Sequence, residues 1–313
     1  MVFKKIRRRH IDWRNFLCST PARDYVFQKE EYVSQLGRAA EYIRKADSII
    51  VGAGAGASTA AGIQYGGKRF TDNFGEFIEK YGRHYMTDMY AAGFYPYPSE
   101  EAKWGYWSKH ALMNRFAPPA LLLYTELYDI VKSKEYFVLT TNVDHQFYKA
   151  GFDEKRIFAT QGDYGKIQCQ KACHQKTYDA KDLFRKMDEA RKDCLIPSEL
   201  VPKCPVCDGN MAMNLRCDNY FVEDEAWHEA ADRYADFMEQ NKDKKVVLLE
   251  LGVGFNTPII IRFPFEKMVR ENPSYSLIRL NMDEAVVPES FGERAIGIGG
   301  DMAKVITDIR GLV

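Results

Sequence analysis

The strongest constraint on this chain is a buried strand that ends in glycines. Ser48-Ile49-Ile50-Val51 is an apolar run, and Gly52-Ala53-Gly54-Ala55-Gly56 stops it abruptly. Ser58 and the small residues up to Ala61 suit the N-terminus of a short helix. A glycine-rich turn between strand and helix lets backbone amides approach a phosphate, and the helix N-terminus favours the same charge. Gly52, Gly54 and Ala57 satisfy the loose dinucleotide pattern, although a tight turn with no ligand reads the same way. An ordinary dehydrogenase also needs a second strand ending in an acidic residue about 20 positions on. Here that region holds Thr71, Asp72 and Asn73 and no strand. A dinucleotide fits; the ordinary dehydrogenase layout does not.

The rest of the chain alternates in the same manner. Residues 28–46 read as an amphipathic helix, with Tyr32, Leu36, Ala39, Ala40 and Ile43 at helical spacing. Tyr136 to Thr140, Ile157-Phe158, Lys245 to Leu251 and Leu277 to Leu280 read as strands, the third ending in a second glycine turn, Gly252-Val253-Gly254. Pro118-Pro119 opens a helix to about Lys132. Residues 224–241, with Trp227, Ala231, Tyr234 and Met238 on one face, and 302–312 complete the helices. This pattern predicts an α/β fold, a Rossmann-like parallel sheet with helices on both faces, over residues 28–165 and 224–313. Residues 66–117, dense in aromatics such as Tyr81, Tyr95, Trp104 and Trp107, read as a helical insertion packed on itself and overhanging a site. Residues 1–27 form an N-terminal extension, whose run Lys4, Lys5, Arg7, Arg8, Arg9 reads as a solvated basic cluster.

Residues 166–223 differ from the rest, with little periodicity and all the paired cysteines. Cys169 and Cys173 enclose three residues, and Cys204 and Cys207 enclose two. Two such pairs place four thiolates around a zinc ion, with His174 and Cys217 as spare ligands. Four protein ligands leave no open coordination position, so the metal is expected to hold structure. Cys18 and Cys194 have no evident partner. Seven cysteines in a chain of 313 residues do not suit a small secreted disulfide scaffold, so a reducing compartment, the cytoplasm, is expected.

Thr140-Thr141-Asn142-Val143-Asp144 stands at the carboxyl end of an apolar strand, where parallel sheets bind ligands. By themselves, Asn142 and Asp144 could equally cap the following helix. The combination is more specific. Gly54-Ala55-Gly56-Ala57-Ser58 with Gly62-Ile63 resembles the sirtuin glycine motif, and Thr140 to Asp144 with Ala150-Gly151 resembles the sirtuin threonine-glutamine-asparagine-isoleucine-aspartate motif. Two cysteine pairs, Gly252-Val253-Gly254, Leu280-Asn281 and Gly300-Asp301 follow in the family's order, so the resemblance runs from about residue 28 to 313. It implies NAD as co-substrate and zinc as structural metal.

One departure from that family changes the chemistry. Sirtuin deacylases carry a His-Gly pair as general base, and the matching pair here is Gln161-Gly162. Glutamine takes no proton at physiological pH. The family's proline-aspartate-phenylalanine-arginine segment is reduced to Arg69, and its peptide-gripping loop becomes Asn219-Tyr220-Phe221-Val222-Glu223-Asp224. These features resemble the macrodomain-linked (class M) microbial sirtuins, which are protein mono-ADP-ribosyltransferases. That likeness implies a lipoylated glycine-cleavage-type carrier protein as acceptor and a macrodomain hydrolase as functional partner. It implies that Asp144 holds the nicotinamide carboxamide, that Asn142 orients the ribose or the attacking group, and that Gln161 bonds the ribose hydroxyls or aligns the acceptor. Gly54, Ala55, Gly56 and Ser58 would line the pyrophosphate, with Gly62, Arg69 and Thr141 nearby. Gly252, Val253, Gly254, Asn281 and Met302 would flank the adenosine. His145, adjoining Asp144, is expected to point elsewhere.

Three rival readings exist: an NAD-dependent deacylase with an unusual base, a non-enzymatic NAD or ADP-ribose sensor, and a zinc-ribbon nucleic-acid module. The missing histidine disfavours the first, and the retained Asn142 and Asp144 disfavour the second. The 44 basic residues balance 44 acidic ones, which disfavours nucleic acid and anionic membranes as partners. No stretch of about 18 apolar residues is present, so no transmembrane helix is expected.

Overall fold

Strands that are apolar on both faces must be covered on both faces, and this requirement sets the architecture. The computed structural model describes residues 20–255 and 257–313. In chain order the strands are β1 (Tyr25–Val26), β2 (Ser48–Ala53), β3 (Glu135–Thr140), β4 (Ile157–Ala159), β5 (Gly162–Cys169), β6 (Thr177–Asp179), β7 (Met211–Leu215), β8 (Val246–Leu251), β9 (Tyr275–Asn281), β10 (Val287–Pro288) and β11 (Ala295–Gly299). Six of them form one sheet in the order β11-β9-β8-β2-β3-β4. Every pairing in it is parallel. Strand β2 pairs with β3 on one side and β8 on the other, so the sheet grows outward from β2 in both directions. That makes β2 and β8 the topological switch point, where open α/β sheets leave a crevice.

The helices are α1 (Tyr32–Lys45), α2 (Ala55–Ala60), α3 (Gly67–Tyr81), α4 (Met89–Gly93), α5 (Glu100–Ala111), α6 (Leu122–Val131), α7 (Gln146–Lys149), α8 (Lys181–Ala190), α9 (Glu225–Asn241), α10 (Arg262–Glu271) and α11 (Met302–Arg310). Alternate residues of each strand serve opposite layers. Val51, Val138, Leu249 and Ile278 pack with Leu36 and Ile43 of α1, Leu127 of α6 and Ile306 of α11. Ile50, Phe137, Leu248 and Leu277 pack with Ala230 of α9 and Phe265 and Val269 of α10.

Several boundaries differ from the sequence reading. The helix expected from Pro118 begins at Leu122, because the proline segment is held extended by Gln146, whose Nε2 donates to Pro119 O and whose Oε1 accepts from Leu121 N. Strand β11 escaped detection because Gly297 and Gly299 interrupt its apolar run. Gly297 is required there, since a Cβ would lie 1.9 Å from Ala285 O. Within the stretch placed in the N-terminal extension, Tyr25 and Val26 pair with Pro288 and Val287. The basic run and Cys18 lie outside the described residues.

The aromatic insertion does more than pack on itself. Phe70, Phe74 and Phe77 of α3 and Trp104, Tyr106 and Trp107 of α5 share one core with Tyr164 and Ile167 of β5, Phe184 and Met187 of α8, and Met211. Insertion and cysteine module therefore form a single lobe. The module also holds regular structure that the sequence reading missed: the antiparallel sheet β6-β5-β7 and the amphipathic helix α8. Gly105 lets α5 meet the module, since a Cβ there would lie 2.3 Å from Cys194 O.

Four charged side chains lie fully buried beneath the second glycine turn. Arg279 donates from Nε and Nη2 to the two carboxylate oxygens of Glu250, at 2.7 and 2.9 Å, and from Nη2 to Glu266 at 2.9 Å. Arg262 donates to Val253 O at 2.9 Å, linking this network to the turn itself. Burying four charges is tolerable because they are paired and hydrogen-bonded.

Gly252 meets two demands at once. It sits at φ +58, and a Cβ there would lie 2.5 Å from both the Gly56 Cα and the Ala57 N. Gly252→Ala is expected to lower the free energy of unfolding by about 1–3 kcal/mol from overpacking and by a similar amount from the left-handed backbone, measured by urea denaturation.

Candidate active site

Glycine turns after β2 and β8 meet backbone to backbone. Gly56 N donates to Gly252 O at 3.0 Å, and a Cβ on Gly54 would lie 2.8 Å from that same oxygen. Above this contact opens a cleft of about 710 Å³, within the range of small-molecule sites. Loops after five parallel strands border it: Gly54, Ala55 and Gly56 after β2, Thr141 after β3, Gly252 to Gly254 after β8, Asn281 after β9 and Met302 after β11. Among the described residues no side chain caps α2; Gly56 N is already bonded to Gly252 O and Ala57 N to Gly54 O, which leaves Ala55 N at the start of the cleft. The start of α11 differs, since Asp301 already accepts from Ala303 N and Lys304 N. This arrangement fits a dinucleotide with its pyrophosphate at the glycine turns.

Most of the sequence-predicted residues fall into two sets, with Gly62, Arg69 and Gln161 outside both. Gly54, Ala55, Gly56, Thr141, Gly252, Val253, Gly254, Asn281 and Met302 line the cleft together. Ser58, Asn142 and Asp144 form a buried polar cluster at the end of β3. Ser58 Oγ donates to Asp144 Oδ2 and lies 3.1 Å from the Tyr124 hydroxyl, which also accepts from Asn142 Nδ2 at 3.4 Å. Ser58 thus turns toward Asp144 and Tyr124, where the family likeness had placed it along the pyrophosphate. Asp144 Oδ1 accepts from Gln146 N at 3.1 Å, so Asp144 also caps the turn into α7. Burial raises the Asp144 pKa, against the lowering effect of the Ser58 and Gln146 bonds.

Gln161 is half-buried in the turn before β5, and its carbonyl accepts from Arg216 N at 3.0 Å. Arg69 is half-buried on α3. It donates to the Gln64 and Met113 carbonyls and, among the described residues, has no carboxylate partner. Gly62 is exposed at φ +102, closing the turn after α2. Sequence reasoning missed Tyr124, which looks like an ordinary core residue of a helix, and the acidic pair Asp283 and Glu284 beside Asn281 in the cleft. The latter stand just after an apolar strand, a signal that could have found them.

Cys169, Cys173, Cys204 and Cys207 place their sulfurs within 4.8 Å of one another. Cys169 and Cys207 are 3.7 Å apart, and Cys173 and Cys204 3.6 Å. A zinc–sulfur bond of about 2.3 Å gives a tetrahedral edge of about 3.8 Å, so the donor set fits a zinc ion and is far from disulfide contact. His174 Nδ1 lies 3.1 Å from Cys173 Sγ, but its Nε2 lies 2.8 Å from the Tyr178 hydroxyl. Cys217 lines a separate small cavity beside Trp107.

No family model matches the chain. Among solved structures it is similar to a Sir2 enzyme bound to a propionylated peptide, with a TM-score of 0.54 and 16% identity over 89% of this chain and 99% of that one. It is also similar to a Sir2 protein bound to an acetylated peptide, with a TM-score of 0.52 and 18% identity over 87% and 95%. The parallel sheet with its four-cysteine module is thus the sirtuin fold. In sequence, the chain is 40% identical to a protein ADP-ribosyltransferase of Staphylococcus aureus (strain Mu50 / ATCC 700699), over 85% of this chain and 84% of that one. It is 31% identical to a "Probable bifunctional ADP-ribose hydrolase/ADP-ribosyltransferase" of Fusarium oxysporum f. sp. cubense, over 87% of this chain and 47% of that longer protein. The chain belongs to the sirtuin-type protein ADP-ribosyltransferases.

Metal analysis of the purified protein is expected to find about one zinc per chain, and chelation to unfold the module with it. Zinc-free protein with an intact fold would contradict the assignment of the four cysteines.

Proposed function

We propose that this chain is an NAD-dependent protein mono-ADP-ribosyltransferase, which releases nicotinamide and passes ADP-ribose to a protein acceptor. The observation that carries this reading is the strand-end cleft together with Gln161 where a sirtuin deacylase has its histidine. Relatedness to a protein ADP-ribosyltransferase at 40% identity supports it.

In a deacylase, the acyl oxygen first displaces nicotinamide, and a base must then deprotonate a ribose hydroxyl. An amide at position 161 cannot supply that second step. ADP-ribosyl transfer needs only departure of nicotinamide and capture by an acceptor, so the site contributes orientation and electrostatic support. We assign Asn142 to the reacting ribose, Asp144 to the carboxamide with Ser58 and Tyr124 orienting it, and Gln161 to the ribose hydroxyls or the acceptor. Gly54, Ala55 and Gly56 receive the pyrophosphate, with Arg69 nearby. Asn281, Met302 and the Gly252 turn flank the adenosine, and zinc on the four cysteines holds the module.

The acceptor we propose is a lipoylated carrier protein of the glycine-cleavage type, with a macrodomain hydrolase as functional partner and the cytoplasm as the location. The class M likeness of Gln161 to Gly165 and of the Gly252 turn supports this. Among the described residues no helix is long and apolar enough to cross a membrane.

Asn142→Ala is expected to reduce transfer at least about 10²-fold while NAD still binds, since the side chain faces the reacting ribose. Gln161→Ala is expected to cost less than the roughly 10²–10⁴-fold of a lost acid–base group. Gln161→His is expected to release no acetyl groups from acetyl-lysine peptides, because the altered loop from Asn219 to Glu223 grips peptides poorly. Labelled NAD with the carrier protein reads the first two, and NAD with the acetyl-lysine peptide reads the third, each by mass spectrometry. Undiminished transfer by Asn142→Ala would reduce the polar strand end to a helix cap.

A further inference from the structure

A second cavity, of about 460 Å³, lies between the module and the main domain. Phe158 of β4 and Trp227 of α9 line it from the main domain, and Asn214 and Val222 line it from the module. His145, Gly162 and Asp163 line it as well. His145 follows Asp144 in the chain and Gly162 follows Gln161. Tyr164 N donates to Val143 O at 3.0 Å, so these two segments run side by side. The cavity is thus lined by the chain neighbours of Asp144 and Gln161, and Thr141 of the dinucleotide cleft belongs to the same strand end.

His145 is built unlike a surface histidine. It sits at φ +66, a left-handed conformation that is uncommon for a residue with a side chain. Its Nδ1 lies 2.7 Å from Asp163 Oδ2. Asp163 in turn accepts from Arg115 Nε at 3.0 Å and from Gly165 N at 2.6 Å. Arg115 comes from a π-helical turn, Leu112–Phe116, at the end of the aromatic insertion. The imidazole is stacked on Tyr148 with centroids 4.1 Å apart and planes at 12°. With Nδ1 committed to a carboxylate, Nε2 is left without a hydrogen-bond partner among the described residues. A carboxylate-oriented imidazole with one free nitrogen, facing a cavity, is the arrangement that handles a reacting group.

We propose that this cavity receives the attacking oxygen of the acceptor protein, and that Nε2 of His145 is its hydrogen-bond partner. The proposal rests on the transferase reading above. The bond between the ribose anomeric carbon and the nicotinamide nitrogen breaks, and its electron pair leaves with neutral nicotinamide. The acceptor oxygen supplies the pair for the new carbon–oxygen bond. A hydroxyl acceptor loses its proton to Nε2, and Asp163 stabilises the imidazolium. A carboxylate acceptor moves no proton and takes a hydrogen bond from protonated Nε2. Asp163 is the positioning residue in either case.

The test uses the full chain, NAD labelled in its adenylate half and a lipoylated glycine-cleavage carrier protein. His145→Gly suits it because glycine adopts φ +66 freely, which offsets part of the cost of losing the Asp163 bond and the Tyr148 stack; the variant is expected to stay folded, with the thermal midpoint measured beside transfer. Transfer is expected to fall about 10²-fold or more. The loss is expected in kcat, with the KM for NAD unchanged, and Asp163→Asn is expected to show a smaller loss of the same kind, because it leaves the imidazole in place but poorly oriented. Wild-type kcat in His145→Gly would overturn this proposal alone. Absence of any label on the carrier with the wild-type chain would overturn the transferase reading together with it.

Discussion

The backbone contact between the two glycine turns is the constraint on which the site depends. Gly54 and Gly56 approach Gly252 so closely that no Cβ fits on any of the three. This contact joins the first βα unit to the strand on its other side, at the point where the sheet changes direction. It also leaves a floor without side chains beneath the cleft, so a phosphate group can reach backbone amides. One geometric requirement therefore serves both folding and binding. The glycines would be needed for packing even if nothing were bound.

Beneath that floor, the buried network of Glu250, Arg279, Glu266 and Arg262 fixes the second turn. Arg262 holds Val253 O and also the carbonyls of Glu284 and Val286, which follow the end of β9. Tyr25 donates to Glu266 at 2.7 Å, tying the first described strand into the same network. Removing one partner would strand an opposite charge in the core, which costs more than any surface pair contributes. Rigid placement of Gly252 to Gly254 and Asn281 follows from this arrangement.

Much of this was legible in the sequence because its signals are local. Strand β2 and its glycines, strand β8 and its turn, the Thr140 to Asp144 strand end and the two cysteine pairs each announce themselves within a few residues. Partnerships between distant residues were not legible. Nothing in the sequence states that Gly56 meets Gly252, that Tyr124 joins Ser58 to Asn142, or that Arg115 reaches Asp163 and through it His145. The aromatic insertion and the cysteine module looked like separate units because their shared core, Phe74 and Trp104 with Phe184 and Met211, is built from side chains far apart in the chain. Strand β11 was hidden by glycines whose reason, the close approach of Ala285 O, is equally non-local.

The functional account turns on a subtraction. The sirtuin fold supplies a cleft and a polar strand end; on the proposed reading, Gln161 stands where a deacylase has its base, so deacylation is lost while nicotinamide departure remains possible. The most direct measurement offers the purified chain NAD labelled in the adenylate half, a lipoylated carrier protein and an acetyl-lysine peptide in one vessel. The account predicts free nicotinamide in proportion to label on the carrier protein, with the peptide still fully acetylated. Robust NAD-dependent loss of acetyl groups, with no label on protein, would contradict it.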